Sequence, residues 1–110
     1  PLSQHFANKA HAQAIFDHLV DQINHHIGQC KIVSIPCCIH LFGQYDFLAA
    51  LPKKDHLEIR FSLDHQIKSS RVKLNFPLSA HSYKICIDLY QIDDIDHELL
   101  SWIKESYTKL

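Results

Sequence analysis

The sequence predicts an α+β domain. The expected architecture is a two-layer sandwich: an antiparallel sheet of four to six strands, run as a meander, with an N-terminal and a C-terminal helix on one face. Three observations predict it. Residues 56–63, HLEIRFSL, alternate strictly, with Leu57, Ile59, Phe61 and Leu63 on one side and His56, Glu58, Arg60 and Ser62 on the other. Such alternation marks a half-buried strand, whose successive side chains point to opposite faces. Apolar residues recur at helical spacing near both ends of the chain. Between those ends the β-like runs are separated by short breaks, and strands joined by short turns are antiparallel.

Taken in order, residues 1–6 are a lead-in, and Asn8, or alternatively Ser3, is the candidate helix N-cap. Over residues 9–27, Ala12, Ile15, Phe16, Leu19, Val20, Ile23 and Ile27 fill one helical stripe. Gly28 follows as the expected stop, in the left-handed conformation common at helix C-termini. Residues 31–35 are rich in β-branched side chains and read as a strand. Pro36 then marks an edge position or a turn. Residues 38–42 put Ile39 and Leu41 on one face and Cys38, His40 and Phe42 on the other. Gly43-Gln44 is a hairpin turn, and residues 45–51 place Tyr45, Phe47, Ala49 and Leu51 on one side. Residues 52–55 form a second, solvated turn.

Residues 64–80 are harder to pattern. Val72, Leu74, Phe76 and Leu78 alternate, but Ser69-Ser70 and Pro77 favour a loop, and the reading allows a short strand at 72–75. In residues 83–89, Tyr83, Ile85, Ile87 and Leu89 face in while Lys84, Cys86 and Asp88 face out. Asp93-Asp94 is expected to open the last helix, since acidic groups complement a helix N-terminus. Its apolar stripe is Ile95, Leu99, Trp102, Ile103 and Tyr107.

A chain of 110 residues is expected to be a single domain, residues 1–110. Its 46% apolar content supports a core. The formal net charge of -1 offers no overall attraction to nucleic acid or an anionic membrane. No apolar run approaches the roughly 18 residues of a membrane span, so no membrane partner is expected. The absence of an initiator Met is read as the C-terminal part of a longer protein. Cys30, Cys37, Cys38 and Cys86 lack CxxC spacing and follow no export signal, so free thiols in the cytoplasm are expected. Cys37 and Cys38, if extended, point to opposite faces.

Several segments together resemble a known family. They are SQHFANK before the first helix, IFDHLVDQINHHIG within it, CIHLFGQYDFLAALPKKDHLEIRFSL, SSRVKLNF, and the closing HSYKICIDLYQIDDIDHELLSWIKESY. In order and spacing, from about Ser3 to Leu110, they resemble the uncharacterised bacterial family called domain of unknown function 5655. The resemblance implies no catalytic motif to carry over, and it implies placement as a C-terminal part of longer proteins. The chain departs from the family's usual pattern at Pro36-Cys37-Cys38, where Lys, Ser or Thr is more frequent.

Chemistry is expected, if anywhere, on the uncovered sheet face. His40, His56, Glu58, Arg60 and Lys84 fall there by alternation, and Arg71 lies in a basic loop with Lys68 and Lys73. These six residues, His40, His56, Glu58, Arg60, Arg71 and Lys84, are the candidate ligand-binding set. No metal site is assigned, because zinc takes four ligands and only Cys38, His40 and Cys86 come near one face. His11, His18 and His25 share a helix face but lie roughly 10 Å apart in succession. With two glycines there is no phosphate-binding loop, and neither a nucleophile elbow nor an HExxH pattern occurs. The expectation is a non-enzymatic accessory or interaction domain without a cofactor. Its expected partner is another domain of the same polypeptide or a separate protein. The alternative is a small-ligand or nucleic-acid binding module that uses the sheet face and the loop around Arg71.

Overall fold

The computed structural model describes residues 1–109 and has the α+β architecture. The order is α1 (Leu2–His5), α2 (Ala10–His26), β1 (Lys31–Ile35), β2 (Cys38–Phe42), β3 (Asp46–Pro52), β4 (Leu57–Leu63), β5 (Leu74–Ser79), β6 (Ser82–Leu89), a 3-10 turn at Ile92–Asp94, and α3 (His97–Thr108). One antiparallel sheet runs β1-β2-β3-β4-β6-β5. The first four strands are a simple meander. The last two form a hairpin inserted in reverse, so β6 pairs with β4 and β5 becomes an edge. None of the described helices is long and apolar enough to cross a membrane.

Helices α2 and α3 pack on the same face, against β3 and β4. Ile15, Phe16, Leu19 and Ile23 of α2 are buried. They meet Ile39, Leu41, Leu57, Ile59, Ile85 and Ile87 of the sheet in one core. Fully burying one such side chain contributes about 1.5–3 kcal/mol. The residues before α2 are more than a lead-in. They make the short helix α1, and Phe6 tucks its ring 5.2 Å from Phe16.

Four local expectations are corrected. Helix α2 has no side-chain cap, and its N-cap is Lys9. Asn8 instead sits at φ 59 in the turn before it, a left-handed conformation that Asn tolerates better than most residues. Gly28, by contrast, does not adopt positive φ. Its lack of a side chain serves Tyr107: a Cβ at Gly28 would lie 2.5 Å from the tyrosine oxygen, and one at Gly43 2.7 Å from the ring. The last helix opens at Asp96, whose carboxylate accepts from the Leu99 N–H at 3.0 Å. Asp94 closes the preceding 3-10 turn by accepting from the Tyr90 and Gln91 N–H groups.

The fourth correction concerns β3. Leu41 pairs with Leu48 and Phe42 with Asp46, so Phe47 is an extra residue in a bulge. A bulge leaves one residue unpaired and resets the alternation. Tyr45 and Phe47 turn towards α3, where Phe47 meets Tyr107 edge-on at 4.8 Å and Tyr45 donates to the Ser106 carbonyl. Beyond the bulge Leu48 and Ala50 are buried in the core, and Ala49 and Leu51 fall on the opposite face with His40, Arg60 and Glu58.

Edge strand β5 starts two residues later than the short strand read at 72–75 and runs through Pro77. A proline has no N–H to give a ladder, and an edge strand tolerates that. Asn75 holds the preceding loop by accepting from the Ile67 N–H and donating to the Ile67 carbonyl.

Candidate functional site

The face of the sheet away from the helices carries the sequence-predicted residues. Pairing sets one row straight across it: His40 on β2, Ala49 on β3, Arg60 on β4, Cys86 on β6 and Leu74 on β5. The neighbouring row holds Leu51, Glu58 and Asp88, and a third holds Ser62, Lys84 and Phe76. Although no helix covers this face, parts of it are dry. Glu58 is 5% exposed, and Cys38 and Cys86 are buried as well. Facing away from the helices does not leave these three wet: Arg60 and Lys73 lie against Glu58, and Cys37 and His40 against Cys38.

Glu58 is the centre of that cover. Arg60 Nε donates to its Oε2 at 2.6 Å, and Lys73 Nζ reaches its Oε1 at 3.4 Å. Asp88, paired directly opposite Glu58, would repel it, but Lys73 also lies 3.4 Å from Asp88 Oδ2 and bridges the two acids. Burial pulls the Glu58 carboxyl up, yet the hydrogen bond from Arg60 and the charges of Arg60 and Lys73 outweigh it and hold the group below the usual carboxylate range. His56 stands at the end of the network, 2.7 Å from Asp55 and 3.6 Å from Asp88, with Tyr90 against its ring at 4.9 Å.

Arg71 sits apart from that network and ties the loop before β5 to α3. Its Nη1 donates to Asp96 at 2.8 Å and to Glu98 at 3.0 Å, and its Nη2 donates to the Asp94 carbonyl at 2.6 Å. Its guanidinium also lies over the Trp102 ring, 5.8 Å from the centroid. Trp102 is therefore half-buried at the rim of the helix layer, and Leu100 takes a core position the sequence reading did not give it.

A third cluster lies at the β1–β2 hairpin. Ile35 pairs with Cys38, so Pro36 and Cys37 are the whole loop. Cys37 is thus not extended, and its Sγ comes within 3.0 Å of Cys38 Sγ. Cys38 Sγ in turn lies 3.2 Å from His40 Nε2. Asp46 Oδ2 is 2.6 Å from His40 Nδ1 but off the N–H axis, so the contact is electrostatic rather than a directed hydrogen bond. The carboxylate favours the proton on Nδ1 and leaves Nε2 as the acceptor facing sulfur. Burial, then the neighbouring Cys37, pushes the Cys38 thiol up to about 11. Burial also raises Cys86. Cys86 does not join this cluster: β3 and β4 stand between it and His40, three strand spacings or roughly 14 Å.

The rest of the face is apolar. Leu74, Phe76 and Leu78 of β5 are 44%, 48% and 54% exposed. The Lys84 ammonium sits over the Phe76 ring at 5.5 Å from its centroid. Between this strip and His40 lies a shallow hollow of about 220 Å³, lined by His40, Asp46, Ala49, Arg60, Leu78 and Lys84. A second, of about 340 Å³, lies beside Arg71, Lys73, Asp88 and Tyr90.

Of the six candidate residues, the structure brings His56, Glu58 and Arg60 into one network centred on Glu58. It places His40, Arg60 and Lys84 around one hollow and leaves Arg71 at the base of α3. Sequence reasoning missed Lys73 as the bridge between two acids, Asp46 beside His40, and Cys37. The Pro36 turn was the available signal for Cys37, since a two-residue hairpin folds its second residue back over the strand that follows.

The sequence model of the family described as Domain of unknown function (DUF5655) matches residues 2–109. No curated protein and no solved structure matches the chain.

Proposed function

We propose that this chain, which belongs to the DUF5655 family, is a non-catalytic interaction module of a larger bacterial cytoplasmic protein. In this reading the outer sheet face seats a protein surface, supplied by another domain of the same polypeptide or by a separate protein. The observation that carries the reading is the strip Leu74, Phe76 and Leu78, three large apolar side chains side by side on an edge strand and about half exposed. A contiguous exposed apolar strip rimmed by polar groups is the usual mark of a contact surface. The neighbouring cations are already matched by acids: Arg60 and Lys73 by Glu58, and Arg71 by Asp96 and Glu98. Little positive charge is left over for phosphates, whose binding depends on concentrated cations. Burial raises the thiols of Cys38 and Cys86, which disfavours attack by a free thiolate.

The test is site-specific photo-crosslinking of the full-length gene product in its host, from position 76 and, as a control on the helix layer, from position 13. Adducts from position 76 that map repeatedly to one protein segment, with none from position 13, are expected. No adduct at position 76, or the same scatter from both positions, overturns the reading.

The hollow beside His40, Arg60 and Lys84 favours a second reading, a binding site for a small anionic ligand, with nucleic acid through Lys68, Arg71 and Lys73 as its larger counterpart. Here inorganic phosphate and a short single-stranded oligonucleotide are titrated at low salt. Binding lost in Arg60→Ala, or in Arg71→Ala for the oligonucleotide, supports it, and no saturable binding removes it.

A further inference from the structure

The β1–β2 hairpin carries an arrangement that the interaction reading does not use. We propose that Cys37 Sγ, Cys38 Sγ and His40 Nε2 are three ligands of a zinc(II) site, with Asp46 as the outer partner of His40.

Geometry is the first argument. The three donor atoms all lie within 4.8 Å of one another, with sulfur–sulfur and sulfur–nitrogen separations of 3.0 and 3.2 Å. In a tetrahedral centre with Zn–S about 2.3 Å and Zn–N about 2.0–2.1 Å, donor atoms sit about 3.5–3.8 Å apart. The Cys37–Cys38 sulfur pair therefore has to widen by about 0.8 Å and the Cys38–His40 pair by about 0.3 Å. Cys37 can supply the larger of these movements, because it is exposed and occupies a two-residue turn.

The second argument is the shell around the donors. Metal-bound imidazoles commonly offer their other nitrogen to a carboxylate, which fixes ring and tautomer. Asp46 stands 2.6 Å from His40 Nδ1, and a small rotation of this half-exposed side chain brings the carboxylate onto the N–H axis. The β3 bulge at Phe47 sets where Asp46 falls, opposite Phe42 and beside the imidazole. The exposed Cys37 leaves the donor cluster accessible to a fourth, exchangeable ligand such as water.

The third argument is donor chemistry and charge. Two thiolates and one imidazole match borderline-soft zinc rather than magnesium or calcium, which take oxygen. As the two Zn–S bonds form, both thiol protons leave to solvent, and the two thiolates neutralise the dication.

The experiment uses the whole chain, reduced with a phosphine, and cobalt(II) as the spectroscopic probe, followed by zinc(II) displacement. One cobalt per chain is expected, with a sulfur-to-cobalt charge-transfer band in the near ultraviolet that zinc abolishes. Cys37→Ser, Cys38→Ser and His40→Gln should each remove or shift the band. Asp46→Asn should keep the band and weaken affinity about 10–100-fold. Cys30→Ser and Cys86→Ser should behave as the parent. Cobalt bound without a sulfur band, as a chance site among the histidines would give, overturns the proposal. So does a band unchanged in Cys37→Ser, or one lost in Cys86→Ser. Should Cys38→Ser fail to fold, the exposed Cys37 variant, with its fold checked by far-ultraviolet circular dichroism, decides alone.

Discussion

On the helix-covered face, β4 and β6 set Leu57, Ile59, Phe61 and Leu63 against Leu89, Ile87, Ile85 and Tyr83. On the other face the same two strands set Glu58, Arg60 and Ser62 against Asp88, Cys86 and Lys84. Nearly all of the first set is dry because two helices lie on it. Part of the second set is dry as well, but there the cover consists of charged side chains held over one carboxylate. An apolar face needs only area and shape, since the hydrophobic effect has no direction. A polar face can exclude water only where each buried group has found a partner. Where that partnering stops, at β5, the outer face becomes apolar and open.

Four substitutions break or sharpen this comparison. Phe61→Ala, on the covered face, should destabilise by about 3–5 kcal/mol in urea unfolding. A loss below 1 kcal/mol would mean that face is not the core. Glu58→Gln, on the open face, should cost about 1–3 kcal/mol, because Arg60 and Lys73 lose their shared charge partner. It should also change the acid limb. The folded-state carboxyl lies below its ordinary value of 4.5, so its contribution is complete above that value and is lost as pH falls through the lower folded value. Stability measured between pH 6 and 3 should therefore fall less steeply in Glu58→Gln than in the parent. Asp96→Ala removes both the cap of α3 and a partner of Arg71, and about 0.5–2 kcal/mol is expected from the cap. Phe76→Ser should change stability by less than about 0.5 kcal/mol, as surface replacements do. A large loss there would show that the exposed strip belongs to the folding core.

The sequence reading reached the covered face most completely. Strict alternation in residues 56–63 and 83–89 and the α2 stripe correctly assigned their inward side chains, because burial imposes a period that side-chain type must follow. It failed where one residue reset the period, as at Phe47, since a bulge leaves no mark in composition. The β5–β6 hairpin, inserted in reverse, likewise escaped it, because strand order is set by pairings far apart in the chain. On the open face the alternation identified which residues share a side, including His40, Arg60 and Lys84. It did not show which of them touch. Lys73 comes from a loop, and Cys37 from a turn, and neither position is set by a strand's period.

Tyr107 carries a consequence for how the chain comes into being. Its ring lies over the only two glycines, Gly28 at the end of α2 and Gly43 in the β2–β3 turn, and its hydroxyl donates to the Gln29 carbonyl. On the ribosome those two sites emerge some eighty and sixty residues ahead of the tyrosine that seals them. Until residue 107 leaves the exit tunnel, the nascent chain lacks the ring that ties these two sites to the last helix, so this part of the domain closes late in synthesis.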